Sequence, residues 1–144
     1  MTTLAYHHES GIIAFDSRLT QGRTIISDNV TKLYEKGKSI LILAGDLSEV
    51  QRLVSDYPSE KGKYRVVGFI VEDNQVYSCS WDGEAHERVL TYWNDAWGSG
   101  SDHALTAMDM GAGAQDAVEK ATLRDIYSGG KVISIDTRTV SVNT

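Results

Sequence analysis

The apolar run at residues 40–44 constrains the fold of this chain more than any other feature. Four aliphatic residues and an alanine stand there without interruption, between Ser39 and Gly45. A strand that is apolar at every position has no face to turn toward water, so both of its faces require cover. The run is also far shorter than the roughly 20 residues that a membrane-spanning helix needs. The sequence therefore predicts a buried strand with further layers of structure on each side.

Strand-like segments separated by turn signals surround this run. Glycine and polar residues interrupt the apolar segments in the way that is typical of hairpins, and hairpins build antiparallel sheets. The predicted hairpins join residues 4–8 with 12–15, residues 24–26 with 32–34, and residues 64–71 with 76–81. Residues 131–136 are predicted as a final strand, whereas residues 90–97 fit either a short strand or a partly helical segment.

Three segments have the spacing of amphipathic helices. Residues 46–57 place apolar side chains on one stripe, and Asp46 can cap the first turn. Residues 102–110 and 114–127 form two further predicted helices, of which the second has a face of small residues. Helices that cover antiparallel sheets predict an α+β architecture, and we expect one domain over residues 1–144 because no low-complexity stretch divides the chain.

Composition and charge exclude several classes of function. The formal net charge is −6, and the densest basic group, at residues 60–65, resembles a solvated loop, so we expect no nucleic-acid partner. The four histidines lack the spacing of a metal site, so no metal or cofactor is predicted. The single cysteine, Cys79, fits a reducing compartment, and the first residues lack the features of a signal peptide. We therefore expect a cytoplasmic protein without membrane contact.

Two groups of short motifs carry the specific signal of the chain. Residues 2–4 begin it with two threonines and a leucine, residues 16–22 have the pattern Asp-Ser-Arg-x-Thr-x-Gly, and a lysine ends residues 29–32. A Gly-Ser-Gly-Ser segment at residues 98–101 and an Arg-Asp-x-Tyr-Ser-Gly-Gly segment at residues 124–130 follow. Each motif alone is weak. Together, in this order and over nearly the whole chain, they resemble proteasome β subunits and the bacterial two-ring protease HslV.

The fold that this resemblance implies is the four-layer αββα sandwich of antiparallel sheets, found in the N-terminal-nucleophile hydrolases. The family normally has two helices in the region that corresponds to residues 46–63, but here there is room for one. The resemblance therefore implies this sandwich with one helix shortened or missing.

The resemblance also implies a set of catalytic residues. Thr2 is the implied nucleophile, Lys32 polarises its hydroxyl, and Asp16 pairs with Lys32 and keeps it charged. The other implied groups are the hydrogen-bonding side chains of Ser99, Asp125 and Ser128 around the Thr2 amine, and the backbone N–H of Gly45 as the oxyanion donor.

The chemistry of an N-terminal threonine supports this assignment. A threonine hydroxyl is a poor nucleophile until a base removes its proton. The α-amine of the same residue can be that base, since its ordinary pKa of about 8 is close to neutral pH and a neighbouring cation lowers it further. Met1 precedes Thr2 in the sequence, so the free amine exists only after Met1 is removed.

Structural interpretations of the same residues stand beside the catalytic ones. In these interpretations Thr2 is an ordinary second residue and Asp16 is a turn residue. Lys32 is a solvated charge, and Ser99 is a helix N-cap. An acid at the C-terminal end of a helix is unfavourable for the helix dipole, which favours a functional role for Asp125. Asp46 departs from the family pattern, which usually has a small residue after the glycine that corresponds to Gly45. A carboxylate there would weaken the oxyanion site or change substrate preference.

The function implied by the resemblance is that of a threonine peptidase. It would cleave polypeptides inside a homo-oligomeric ring, with an ATP-driven unfoldase as a further partner, and it would be inactive while Met1 is retained. Two other functions remain open. A non-catalytic structural or assembly protein that keeps the fold would be favoured by retained Met1. A small-molecule amidase with the same N-terminal chemistry would be favoured by a closed monomer or dimer with a narrow pocket.

Overall fold

The computed structural model describes residues 2–139 and 141–143 of the chain. The strands of this part are, in chain order, β1 (Leu4–His7), β2 (Ile12–Phe15), β3 (Leu19–Gln21), β4 (Thr24–Ser27), β5 (Leu33–Lys36), β6 (Ser39–Gly45), β7 (Tyr64–Glu72), β8 (Gln75–Gly83), β9 (Ala85–Leu90), β10 (Asp95–Trp97), β11 (Ile133–Asp136) and β12 (Ser141–Asn143). The helices are α1 (Leu47–Asp56), α2 (Ser101–Asp109) and α3 (Ala114–Thr122). Each of the strand pairs is antiparallel.

Two five-stranded sheets form the middle of the molecule. The first has the strand order β10-β1-β2-β11-β12 and the second the order β5-β6-β7-β8-β9, while β3 and β4 pair only with each other. Apolar side chains of the two sheets pack face to face. Helices α2 and α3 cover the outer face of the first sheet, and α1 covers the outer face of the second. The protein is therefore an α+β, four-layer αββα sandwich of antiparallel sheets, as the resemblance implied.

Strand β6 divides its side chains between two cores. Ile40, Ile42 and Ala44 lie in the core between the sheets, and Leu41 and Leu43 lie in the core beneath α1. All five are buried. This alternation explains why the run is apolar throughout, since successive side chains of a strand point to opposite faces and here both faces are covered.

A single helix, α1, accounts for the segment between β6 and β7. The carboxylate of Asp46 accepts the backbone N–H of Ser48 at 3.3 Å, so Asp46 caps the helix as predicted. Val50 and Leu53 are the buried residues of the helix and pack on the second sheet. The predicted helix at residues 46–57 is confirmed to within one residue at each end.

Helix α3 packs closely on the first sheet through small side chains. Ala117, Val118 and Ala121 share one core with Ala5 and Ala14 of the two central strands. Alanine on both sides of a contact lets the helix backbone approach the sheet, because no long side chain separates them. The small-residue face predicted from the sequence is therefore the buried face.

The predicted helix at residues 114–127 is too long at its C-terminal end. Helix α3 ends at Thr122, and the following residues form a turn. The Asp125 side chain accepts the backbone N–H of Tyr127 at 3.2 Å, a local bond that competes with helix continuation. Ending the helix early turns Asp125 and Ser128 toward the start of the chain.

The predicted hairpin of residues 24–26 with 32–34 is wrong. Strand β4 pairs with β3, and β5 pairs with β6. Gly22 and Gly37 lie in the two connecting turns with φ of +60°, a conformation that glycine adopts without steric cost. These tight turns join each strand to its nearest neighbour in sequence, so residues 28–32 become a connection between the two hairpins.

The remaining differences concern strands at or near the edges of the two sheets. Residues 90–97 contain no helix: Leu90 ends β9, residues 91–94 form a connection, and residues 95–97 are the short strand β10, which pairs with β1. Neither β9 nor β12 was predicted, and β11 begins at Ile133 rather than at residue 131. All six residues of β9 are exposed, so this strand lacks the apolar alternation that reveals a half-buried strand.

Candidate active site

Thr2, Asp16 and Lys32 come from three segments that end close together. Thr2 lies just before β1 and Asp16 just after β2, and the pairing of Leu4 with Phe15 in these two strands puts the flanking residues side by side. Lys32 lies just before β5 in the other sheet. The strand pairing and the packing of one sheet on the other therefore bring together three residues that are far apart in the sequence.

The three side chains are in direct contact. The Lys32 ammonium lies 2.5 Å from Asp16 Oδ1 and also donates a hydrogen bond to Thr2 Oγ1. The Thr2 hydroxyl donates to the same oxygen of Asp16. Thr2, Asp16 and Lys32 are 2%, 0% and 8% exposed. The interpretation of Lys32 as a solvated charge is therefore wrong.

Burial changes the acidity of Lys32. Its removal from water lowers the pKa of Lys32 below the usual range, and this effect outweighs the attraction of the Asp16 carboxylate, which raises it. A proton on this amine is held less tightly than on an exposed lysine. Because the unfolded chain binds that proton more strongly, ionised Lys32 reduces stability at pH values below its folded pKa. The loss is relieved as the pH rises from the folded pKa toward the ordinary value of about 10.4.

Backbone groups hold the Asp16 carboxylate in place. Its Oδ1 accepts the N–H of Thr3 at 3.1 Å, and its Oδ2 accepts the N–H groups of Gly129 at 2.8 Å and Arg18 at 3.3 Å. With Lys32 and the Thr2 hydroxyl, both oxygens of this buried group have partners. A carboxylate bound in this way keeps one orientation, which in turn orients the Lys32 ammonium.

Asp125 is the centre of a second hydrogen-bond network. Its Oδ2 accepts the hydroxyls of Ser128 and Ser99, each at 2.6 Å. Since the Ser128 proton points to Asp125, Thr3 Oγ1 is the donor in its 2.7 Å contact with Ser128 Oγ. Ser99 Oγ also lies 3.4 Å from the carbonyl oxygen of Thr2. The network thus contacts the two threonines at the start of the chain.

These hydrogen bonds determine the ionisation of Asp125. Burial raises the pKa of Asp125, but the hydroxyls of Ser128 and Ser99 and the N–H of Tyr127 bind the ionised form and together hold the pKa below its ordinary value. Ser99 is not an N-cap, because the N-cap of α2 is Gly100 and no side chain caps that helix. The hydroxyl of Ser99 serves the network instead.

Gly98 and Gly100 allow the backbone of the second motif to lie against residues 2 and 3. A Cβ on Gly98 would lie 2.0 Å from the carbonyl oxygen of Thr2, and a Cβ on Gly100 would lie 2.0 Å from Thr3 Oγ1. Gly98 also has a φ of +101°, in the left-handed region. The N–H of Gly100 donates to the Thr2 carbonyl at 3.3 Å. The glycines of this motif therefore permit a contact with the candidate nucleophile.

A cleft of about 720 Å³ opens beside Thr2 and Lys32. Thr2 and Lys32 lie in its wall, as does Gly45 at the end of β6. Much of the remaining wall is apolar, with side chains such as Val30, Leu43, Leu47 and Tyr34. A partly apolar cleft of this volume has the size and character of a ligand-binding site.

Asp46 also lies in the wall of this cleft, next to Gly45. Its carboxylate accepts the N–H and the hydroxyl of Ser48 at 3.3 Å and 3.2 Å. The departure from the family pattern at this position therefore has a structural role as the cap of α1.

The structure brings all of the sequence-predicted site residues to one region. Six of them belong to the two networks, and Gly45 lies in the wall of the adjoining cleft. Sequence reasoning missed Thr3, whose hydroxyl and N–H join the two networks, and the Gly129 N–H, which binds Asp16. Gly129 stands in a motif that signalled the site, but nothing in the sequence shows which atom a backbone N–H contacts.

The state of the Thr2 amine is not tested by the structure. Met1 lies outside the described residues, so removal of Met1 stays a prediction. Within residues 2–139, no group of histidine, cysteine and acidic side chains could hold a metal ion. None of the helices in the described part is long and apolar enough to cross a membrane.

Comparison with known proteins identifies the fold. The structure is similar to Thiobacillus denitrificans BPH, solved in complex with epoxomicin, at 19% sequence identity and a TM-score of 0.73, covering 93% of this chain and 97% of that one. It is equally similar to the eukaryotic HslV from Trypanosoma brucei, at 14% identity and a TM-score of 0.73, covering 94% and 99%. No protein-family model matches the sequence. No curated protein matches it either. The chain therefore has a proteasome-like fold.

Proposed function

We propose that this chain is a threonine peptidase whose nucleophile is Thr2. The observation that carries the proposal is the contact of the buried Thr2 hydroxyl with the Lys32 ammonium and the Asp16 carboxylate. A buried ammonium on a hydroxyl oxygen stabilises the negative charge that develops there when the proton leaves. The similarity of fold to HslV supports the same assignment.

The proposed reaction is acyl transfer through an ester. After removal of Met1, the Thr2 amine accepts the hydroxyl proton while Oγ1 attacks a peptide carbonyl carbon. The tetrahedral intermediate collapses, its C–N bond breaks, and the leaving amine takes the proton from the Thr2 ammonium. Water then attacks the ester carbonyl carbon while the Thr2 amine accepts a proton from it. The bond between the acyl carbon and Oγ1 breaks, the carboxylic acid product leaves, and Oγ1 takes the proton back from the Thr2 ammonium.

The surrounding groups have distinct proposed roles. Lys32 polarises the Thr2 hydroxyl, and Asp16 keeps Lys32 ionised and oriented. The hydrogen bonds of Ser99, Asp125 and Ser128 hold the start of the chain in position. The Asp125 carboxylate also supplies a negative charge near the Thr2 amine. The backbone N–H of Gly45 is the proposed oxyanion donor, since Gly45 lies in the wall of the same cleft.

The proposed substrate is a polypeptide with an apolar side chain on the acyl side of the cleaved bond. The apolar part of the cleft wall, including Val30, Leu43 and Leu47, supports this preference. The proposal also includes a homo-oligomeric ring in the cytoplasm and an ATP-driven unfoldase as partner. This part of the proposal rests on the proteasome-like fold of the chain. The single free thiol of Cys79 is compatible with a reducing compartment.

The test is peptide hydrolysis by protein from which Met1 has been removed, with intact mass confirming the removal. We expect Thr2→Ala to reduce kcat by about 10⁶-fold, as loss of the nucleophile does in other covalent hydrolases. Thr2→Ser keeps a hydroxyl and is expected to retain activity. Thr106→Ala, at an exposed position of α2, is the matched control and should leave kcat unchanged.

Two outcomes would contradict the proposal. They are equal activity in the processed protein and its Thr2→Ala variant, and no hydrolysis of any peptide by the processed protein. The second outcome would favour a non-catalytic protein, or an amidase if a small amide is cleaved. Epoxomicin, with which the Thiobacillus protein was solved, is a further probe, since it should stabilise the processed chain against heat but not Thr2→Ala.

A further inference from the structure

Arg18 links three segments of the site without contacting Thr2. Its Nε and Nη2 donate to the two carboxylate oxygens of Asp28 at 2.8 Å and 3.1 Å, and its Nη1 donates to the carbonyl of Ile126 at 3.1 Å. Its own backbone N–H donates to Asp16. The side chain is 19% exposed, so most of it is enclosed by these segments. One guanidinium therefore joins the segment after β2, the segment before Lys32 and the turn after α3.

The turn after α3 is built around this guanidinium. A Cβ on Gly129 would lie 2.3 Å from Arg18 Cζ, so the backbone of Gly129 lies directly against the planar group. The N–H of Gly129 donates to Asp16 Oδ2, and its carbonyl accepts the N–H of Ser17 at 3.0 Å. A displaced guanidinium would move the Gly129 N–H and, with it, one of the donors that orient Asp16.

The same turn carries the second network. Asp125 and Ser128 lie on either side of Ile126 and Tyr127, and the Ile126 carbonyl is the group that Arg18 binds. An exposed turn held only by its own local bonds would let Asp125 move relative to the two threonines. The bond to Arg18 ties it instead to the segment that carries Asp16.

We propose that Arg18, held by Asp28, is a positioning residue that keeps Asp125, Ser128 and the Gly129 N–H in place around the hydrolase site. This inference rests on the proposed function, because it assigns a catalytic consequence to the position of the turn. The planar guanidinium is required, since it binds a carboxylate through two parallel bonds and a carbonyl through a third N–H, which a lysine cannot do.

Asp28 allows the role of Arg18 to be separated from contact with substrate. Arg18 lies in the wall of the cleft, but Asp28 is not among the residues that line it. A variant of Asp28 therefore leaves the wall of the cleft unchanged. It acts on the site through the position of Arg18 and through the charge attraction between Asp28 and Lys32, and the hydrogen-exchange measurement below reports the first of these effects. The pair of Arg52 and Glu49 in α1 is a matched control, because Arg52 also binds a carboxylate and donates to a backbone carbonyl, that of Lys63.

The experiment compares Arg18→Lys, Asp28→Asn and the double variant with Arg52→Lys and Glu49→Gln, all after Met1 removal. We expect kcat to fall by up to about 10²-fold in Arg18→Lys and Asp28→Asn with KM unchanged, since a displacement near 1 Å has this effect. The double variant should be no worse than Arg18→Lys, because the two residues act as one unit. The control variants should keep the wild-type kcat. A change in KM alone, or an unchanged kcat in both Arg18→Lys and Asp28→Asn, would overturn the inference.

Amide hydrogen exchange distinguishes failure of this inference from failure of the proposed function. Exchange at Gly129 and Tyr127 is expected to accelerate in Arg18→Lys and Asp28→Asn but not in Arg52→Lys. If wild-type protein is inactive and exchange accelerates, the proposed function is wrong and the positioning of the turn is supported. Unchanged exchange at Gly129 would overturn the inference whatever the activity. Should Arg18→Lys fail to fold, Asp28→Asn, whose side chain is 42% exposed, still supplies both measurements.

Discussion

Lys32 and Asp16 are ionised side chains that the fold removes almost completely from water. They are 8% and 0% exposed, and each has the other as its charged partner. Removing one member of a buried ion pair leaves the other uncompensated and typically costs about 3–5 kcal/mol. Loss of activity in a Lys32 or Asp16 variant therefore has to be compared with its stability. Substitution of a neutral hydrogen-bonding residue leaves no buried charge without a partner, so its effect on stability is easier to interpret.

Ser128 offers such a test through the pH dependence of stability. Because the pKa of Asp125 is held below its ordinary value, ionised Asp125 stabilises the fold above that ordinary value, and this stability disappears as the pH falls through the folded pKa. We expect Ser128→Ala to raise the pKa of Asp125 and to lower the free energy of unfolding by about 1 kcal/mol at neutral pH. The deficit should shrink in strong acid. Urea unfolding of both proteins across this pH range measures it.

The control for Ser128 is the same substitution in an Asp125→Asn background. There the side chain at position 125 no longer ionises, so the effect of Ser128→Ala should be independent of pH. A deficit that is equally large in acid and at neutral pH with Asp125 present would contradict the assignment of the pKa shift to this hydrogen bond.

Gly98 permits a prediction about backbone contact. Gly98 and Gly111 have similar φ values of +101° and +107°, but a Cβ would meet the Thr2 carbonyl at Gly98 and nothing within 4 Å at Gly111. We expect Gly111→Ala to show only the strain of the left-handed conformation, about 1–3 kcal/mol. Gly98→Ala should lose about 1–3 kcal/mol more because of the overlap. Equal midpoints of urea unfolding in the two variants would contradict the contact.

Among the secondary-structure elements, helix α1 depends on its N-cap, Asp46. Asp46 lies between β6 and α1, caps α1 and lines the cleft, so one side chain serves both the fold and the site. We expect Asp46→Ala to lower the free energy of unfolding by about 1 kcal/mol, the usual effect of losing an N-cap. Asp46→Asn keeps an acceptor oxygen and should unfold at nearly the wild-type midpoint.

The two Asp46 variants also separate the cap from the charge. If the carboxylate weakens the proposed oxyanion donor at Gly45, Asp46→Asn will raise kcat without changing stability. Peptide hydrolysis at equal temperature checks this expectation. A kcat below that of the wild-type protein in Asp46→Asn would show that the charge assists the reaction or orients the substrate.

At the level of the whole molecule, exposed apolar side chains suit contact between subunits. Val89 and Leu90 of the edge strand β9 and Tyr92 and Trp93 just after it are 47%, 45%, 69% and 42% exposed. Tyr92 and Trp93 also contact each other, with ring centroids 4.8 Å apart. Exposed apolar groups often mark protein interfaces. We expect light scattering to give a multiple of the 15.8 kDa chain mass, and Tyr92→Glu to reduce it. Met110→Glu, at an exposed position after α2, is the control.

A monomeric wild-type protein would contradict the proposed ring. Dissociation by Met110→Glu but not by Tyr92→Glu would support an oligomer and place the contact elsewhere. That residues 1–144 form a single domain also stays a prediction.

Features that follow from the spacing of residue types could be predicted from the sequence. They are the apolar run of β6, the cap at Asp46 and the small-residue face of α3. The pairing of β4 and the end of α3 were predicted wrongly although their causes are also local, because spacing does not show which turn or side-chain bond forms. The tight turn at Gly22 pairs β4 with β3, and the bond from the Tyr127 N–H to Asp125 competes with continuation of α3.

The amino-acid pattern was enough to predict strands covered by helices, and the order of the motifs indicated the candidate site residues. The contact of Thr2, Asp16 and Lys32, and the link from Arg18 and Asp28 to the turn after α3, became evident only from the folded chain. The two kinds of feature differ in the distance along the sequence over which they arise. Local propensities act over a few residues, whereas contacts between distant residues follow from strand pairing and from the burial of both faces of each sheet.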